Sequence, residues 1–157
     1  MTTTSAAAAT ATATATAVVR AYFDAFGVRD MDRALSHVAP DATWTVPGDP
    51  RIVPWAGVRQ GHDSLREFFS LIAEAAEPLA FEVHGLAEVP AEQGTKVVVP
   101  GRFAYRFTVS RQVLDDTFVM VFTVAEGRIT AYEIFEDSLG LARAYTGDPV
   151  LGLGAAA

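Results

Sequence analysis

The chain has 157 residues, half of them hydrophobic, which suits one domain with a sizeable core and is too short for two. Nineteen acidic residues against twelve basic ones give a net charge of −7, and no basic run interrupts them. Nucleic-acid phosphates and anionic membranes are therefore poor partners for this surface. With no cysteine, disulfides, thiolate metal sites and cysteine nucleophiles are all excluded.

Residues 1–16 are an Ala/Thr-rich run with no basic start and no continuous apolar stretch. They read as a disordered tail rather than a secretory signal, and no later segment is long enough to span a bilayer. A soluble, cytoplasmic protein is expected. The domain then occupies residues 17–146, followed by a flexible tail over 147–157.

Val18, Val19, Tyr22, Phe23 and Phe26 recur at helical spacing, which predicts an amphipathic helix over 17–27. Asp30 is an N-cap for a second, short helix through Val38, stopped by Ala39-Pro40-Asp41. Ala42 to Val46 reads as a strand, and Pro47 opens a long loop that contains Trp55 and runs to Gly61. Leu65, Phe68, Phe69 and Ile72 mark one face of a third helix that Pro78 ends. Four β-rich runs follow at 79–89, 95–108, 112–124 and 128–136, separated by turn clusters. Pro100-Gly101 predicts a bulge in the second of them. The order α-α-β-α-β-β-β-β with a short C-terminal helix gives an α+β fold: a curved mixed or antiparallel sheet forming a cone against three helices.

The most informative stretch is the end of the last strand. There a period-2 apolar run through Tyr132 and Ile134 meets Glu136 and Asp137, just before the apolar helix starting Ser138-Leu139-Gly140-Leu141. Acids at the end of a greasy strand point to an enclosed small-molecule site, where burial raises a carboxyl pKa into the working range. Only one of two adjacent strand residues faces inward. Glu136 shares parity with Tyr132 and Ile134, while Asp137 is either the reactive acid or the cap of the helix.

Three stretches carry a resemblance: Tyr22-Phe23-Asp24-Ala25-Phe26 before Asp30-Met31-Asp32-Arg33-Ala34-Leu35, then Pro40-Asp41-Ala42-Thr43-Trp44, then Gly61-His62-Asp63-Ser64-Leu65-Arg66-Glu67-Phe68-Phe69. Over roughly residues 17–146 the chain resembles the NTF2-like superfamily and, within it, the SnoaL-like polyketide cyclases. Asp137-Ser138-Leu139-Gly140-Leu141-Ala142-Arg143 looks like the acid-then-Leu-Gly-Leu ending of that branch. The resemblance implies that Asp137 is the general acid/base of an intramolecular aldol closure, and that the open sheet face packs on a second copy as a homodimer. Where the ketosteroid isomerase branch carries its acids this chain has Val46 and either Phe118 or Val119, and Ile134 takes one acid place of the epoxide hydrolase branch.

Tyr22 is a candidate hydrogen-bond donor to a ligand carbonyl. Phe26, Trp44, Trp55, Phe68, Tyr105, Phe118, Met120, Phe122, Tyr132 and Ile134 are candidates to line an apolar cavity or to fill it as core. Asp116 is either a second acid in that pocket or a hairpin residue in water. His37, His62 and His84 share no ligand spacing, so no metal is expected. Without a phosphate loop, nucleophile elbow or dinucleotide fingerprint, no cofactor is expected either. The resulting expectation is a cofactor-independent cyclase or isomerase of a polyketide-like carbonyl compound. The alternatives are a non-catalytic binding or dimerisation domain, and an epoxide hydrolase or ether-ring-forming enzyme using Asp116 with Asp137.

Overall fold

A computed structural model of the protein describes residues 14–152, so most of the expected tail over 1–16 lies outside the described residues. Helix α1, Ala15–Gly27, starts two residues earlier than the apolar spacing predicts, because the Thr14 hydroxyl accepts the Ala17 N–H and caps it. It is followed by α2, Met31–Ser36, capped by Asp30 as expected. Strand β1, Val38–Val46, then begins well before Ala42.

Pro40 does not separate helix from strand; it lies inside β1, where the register against the neighbouring strand shifts between Val38 and Thr43. A proline lacks the ladder N–H, and an irregularity is where a strand tolerates it.

The loop after β1 holds a short strand, β2, Gly57–Gln60, which pairs antiparallel with β1. Helix α3, His62–Ala75, leads into β3, Ala76–Val83, and β4, Ala87–Ala91. Long strands β5, Gly94–Phe107, and β6, Val113–Ala125, precede β7, Arg128–Phe135, and α4, Ser138–Thr146. The single strand expected over 79–89 is thus two. Both pair with β5, on either side of Pro100, which has no N–H to give and accepts only the His84 N–H through its carbonyl.

The sheet runs β2-β1-β7-β6-β5-β3, with β4 also on β5. Every described pairing is antiparallel except β1 with β7, which joins the first and last long strands in parallel. Buried side chains of α1 (Val18, Val19, Tyr22, Ala25) and α3 (Leu65, Phe68) join alternate residues of the strands in one core.

No bulge occurs at Pro100-Gly101, since β5 and β6 keep register from Thr95↔Val124 to Arg106↔Val113. Gly101 serves close approach instead. A β-carbon there would collide with the Glu82 carbonyl oxygen on one side and the Phe118 ring on the other. Gly101→Ala should therefore destabilise the fold by about 1–3 kcal/mol, the usual cost of overpacking, read as a lower urea midpoint.

Candidate active site

The inner face of the sheet is aromatic because the strands' odd-even alternation delivers rings to it from several elements. Trp44 of β1 lies directly opposite Tyr132 of β7, and the rings stack with centroids 4.2 Å apart. Phe122 of β6, paired with Tyr132, sits 5.2 Å from it. Tyr22 closes this layer from α1, 5.7 Å from Phe122 and 6.1 Å from Trp44. Phe26 stacks on Tyr22 at 6.1 Å and meets Phe69 at 5.2 Å. The expected hollow is filled by these rings at this level. Two open depressions of about 210 and 470 Å³ lie on the outer face instead, around Thr43, Thr123 and Ala131.

Further toward the C-terminal end of β7 comes a second layer. Phe118 stacks between Phe81 at 5.4 Å and Phe103 at 5.8 Å, and Tyr105 lies 5.1 Å from Phe103. Met120 pairs with Ile134, the latter buried. Phe68 is buried beneath α3 beside Phe69, at 5.0 Å. Trp55 does not join the Tyr22 layer. It packs on Phe107 and on Tyr145 of α4, at 6.3 and 5.0 Å, as part of the strap between β1 and β2.

The two terminal acids have different fates. Asp137 is exposed, and its carboxylate accepts the Gly140 N–H at 2.8 Å as the N-cap of α4. The cap is one of the two roles that the sequence left open for Asp137. Glu136 follows the parity of Tyr132 and Ile134 and is largely buried. Loss of hydration, and then the negative charges of Asp116 and Asp137, push its pKa up from 4.5 to about 7. Its charge in turn raises the phenols of Tyr105 and Tyr132, already raised by burial, which places all three groups in one neighbourhood.

Asp116 is half-buried, and both oxygens of its carboxylate are hydrogen-bonded. One of its carboxylate oxygens accepts the Asp137 N–H at 2.8 Å, and the other accepts the Thr117 N–H. It pins the link that carries Glu136. Asp116 and Asp137 are thus both held by backbone donors.

Sequence reasoning passed over Phe69, Phe81 and Phe103 as site residues, although their parity and helical spacing were visible. It also had no signal for the Trp44 indole N–H, which is buried without a partner. His62 bonds the Val38 carbonyl and His84 pairs with Glu82, and no cluster of potential metal ligands occurs among the described residues. Arg102 bridges Asp115 and Glu82, and Arg106 pairs with Glu77, so the alternating arginines stitch adjacent strands. No described helix is long and apolar enough to cross a membrane.

The family model for the SnoaL-like domain matches residues 19–132, ending just short of Glu136. Among solved structures, an NTF2-like protein from Burkholderia xenovorans is 27% identical with a TM-score of 0.69, over 82% of this chain and 92% of that one. TerC, co-crystallised with polyporic acid, is 23% identical with a TM-score of 0.63, over 82% and 95% of the two chains. A Pseudomonas putida protein provisionally named a polyketide cyclase is 14% identical with a TM-score of 0.65, over 84% and 98%. The last two likenesses concern the fold alone. No curated protein matches the chain.

The raised Glu136 pKa has a consequence for stability. The unfolded chain gives up this proton near 4.5 and the folded chain near 7, so folding becomes less favourable as pH rises through that window. Below it the acid is protonated in both states and the penalty vanishes. The gap corresponds to at most on the order of 3 kcal/mol above neutrality. Thermal unfolding across pH 5–8 should show a fall in the melting temperature of the wild type that Glu136→Gln largely removes. An unchanged pH dependence in the variant would place the carboxyl in water.

Proposed function

The chain belongs to the SnoaL-like domain family, and we propose that it is an acid/base enzyme that cyclises or isomerises a polyketide-like, apolar carbonyl compound. Glu136 carries the reading: a carboxyl in apolar surroundings, on the inner parity of the last strand, with no cation to offset its charge and a pKa near neutrality. Such a group is poised to take a proton and to return it.

In the proposed reaction the Glu136 carboxylate removes a proton from the carbon next to the substrate carbonyl, and the electron pair moves onto the carbonyl oxygen. The resulting enolate carbon then attacks a second carbonyl of the same molecule, closing a ring, and the alkoxide so formed takes the proton back from the Glu136 carboxylic acid. In an isomerisation it is reprotonated elsewhere by the Glu136 carboxylic acid. Tyr132 and Tyr105, kept protonated by burial, are the donors nearest this acid. The apolar rings add confinement, which in well-aligned intramolecular reactions reaches about 7 kcal/mol or more. Neither step draws on a cofactor. The co-crystallisation of TerC with polyporic acid and the provisional name of the Pseudomonas protein are consistent with a small-molecule role on this fold.

The close ring packing around Tyr22 favours a second reading, in which the domain binds an apolar molecule without altering it. Exchange of the methyl protons of acetonaphthone in deuterated buffer separates the two. The enzyme reading expects exchange whose rate rises with pH through about 7, at least about a hundredfold slower in Glu136→Gln and nearly unchanged in Asp137→Asn. Binding of the ketone without any exchange would leave the second reading standing, and loss confined to Asp137→Asn would move the role back to the cap.

A further inference from the structure

Strand β6 carries two adjacent aspartates, and the alternation of the strand sends them to opposite faces. Asp115 lies on the outer face, where Arg102 donates to its two oxygens at 2.8 and 2.7 Å. Asp116 shares the parity of the buried Phe118 and Phe122 and stands opposite Phe103, so it belongs to the inner, apolar face. Among the described residues no arginine, lysine or histidine pairs with it. Its carboxylate accepts two backbone N–H groups instead, those of Thr117 beside it and of Asp137 across the sheet, each at 2.8 Å.

The Asp137 N–H belongs to the peptide that joins Glu136 to Asp137. Before Glu136, Phe135 is held by its pairing with Val119, and after it the Glu136 carbonyl accepts the Ser138 N–H at 2.9 Å. Asp116 completes this hold on the backbone that carries the Glu136 side chain. An asparagine or a serine could accept the Asp137 N–H equally well, without a second negative charge on an apolar face. The charge therefore calls for a reason beyond bracing. The titratable groups that act on Glu136, or that its charge acts on, are Asp116 from β6, Asp137 from the link to α4, Tyr105 from β5 and Tyr132 from β7, and none is a cation. After burial, Asp116 is the stronger influence of the two aspartates.

We propose that Asp116 is the positioning residue of the site: it holds the Glu136 carboxyl on the inner face through the Asp137 N–H, and its own negative charge sets the pH range over which that carboxyl gives up its proton. This rests on Glu136 being the acid/base group proposed above, and it assigns a role to a residue that acts only through Glu136. A carboxylate that holds its proton more firmly is the stronger base toward a carbon acid, which is what the charge of Asp116 adds to the reaction.

The test reads Glu136 directly, from the ¹³C signal of its side-chain carboxyl in the full chain, assigned by its loss in Glu136→Gln. Asp116→Asn removes the charge and leaves an acceptor for the Asp137 N–H. The Glu136 midpoint should fall from about 7 by at least about half a pH unit, and stay above 4.5 because the burial remains. Exchange of the acetonaphthone methyl protons should follow, its rise moving to lower pH by the same interval and its plateau dropping about twofold as the base weakens. Asp137→Asn, whose carboxylate is exposed, should move the midpoint less. A mere brace would lower the stability of Asp116→Asn equally at every pH and leave the midpoint in place. That result overturns the proposal and leaves Glu136 to its own exchange assay. If Asp116→Asn does not fold, the wild type decides: the Asp116 carboxyl signal should take a step as Glu136 titrates at about 7, a step that Glu136→Gln abolishes, and a flat signal there overturns the proposal. Absence of exchange in the wild type at every pH removes the acid/base activity, and the positioning role with it.

Discussion

The parallel pairing of β1 with β7 is the constraint on which the rest of the molecule depends. It joins strands from opposite ends of the chain and fixes their relative register, with Trp44 opposite Tyr132 and Thr45 opposite Glu133. Because the pairing is parallel, the C-terminal ends of both strands emerge at the same end of the sheet. There the strap after β1 and the helix after β7 meet through Trp55 and Tyr145. A slip of one residue would turn Trp44 and Tyr132 outward and carry Glu136 into solvent with them. The stacked rings, almost wholly buried, oppose that slip with the apolar area they remove from water.

Three acids, Asp116, Glu136 and Asp137, gather where β7 ends, and they differ in their backbone hydrogen bonds. The Asp116 carboxylate accepts from two backbone N–H groups, and that of Asp137 from the Gly140 N–H at the amino end of α4. Among the described residues Glu136 has no such donor, and it bears both the loss of hydration and the repulsion of its two neighbours. The same few residues thus yield two side chains tied to the backbone and one partly buried carboxyl whose pKa is raised to about 7.

That is why the sequence conveyed the site only in part. Period-2 alternation correctly put Phe118, Met120, Phe122, Tyr132 and Ile134 on one face, because alternation is a local property of an extended chain. The strand breaks at His84–Leu86 and the early start of β1 were missed. Both are set by a proline's effect on a partner distant in sequence, Pro100 on β3 and β4 and Pro40 on its pairing with β7. Gly101 looked like a bulge because a glycine's local freedom is legible, whereas the Phe118 ring that requires it bare is a long-range neighbour. Asp137 and Glu136 stood one residue apart, and the motif resemblance favoured the former. The alternation pointed to the latter, and of the two Glu136 is the more buried.

Helix α4 ties these observations together mechanically. Its N-cap is Asp137, whose own N–H is held by Asp116, and farther along the helix Tyr145 packs against Trp55 of the strap. The strap is held in turn by Arg59, which donates to the Pro54 carbonyl and pairs with Glu67 of α3. Ser110 of the β5–β6 turn donates to the Ala144 carbonyl and fastens the helix from its other side. The end of the cone beside Glu136 is thus closed by one helix and one strap that lean on each other. Asp137, by capping α4, links the acids at the end of β7 to the helix that packs on the strap.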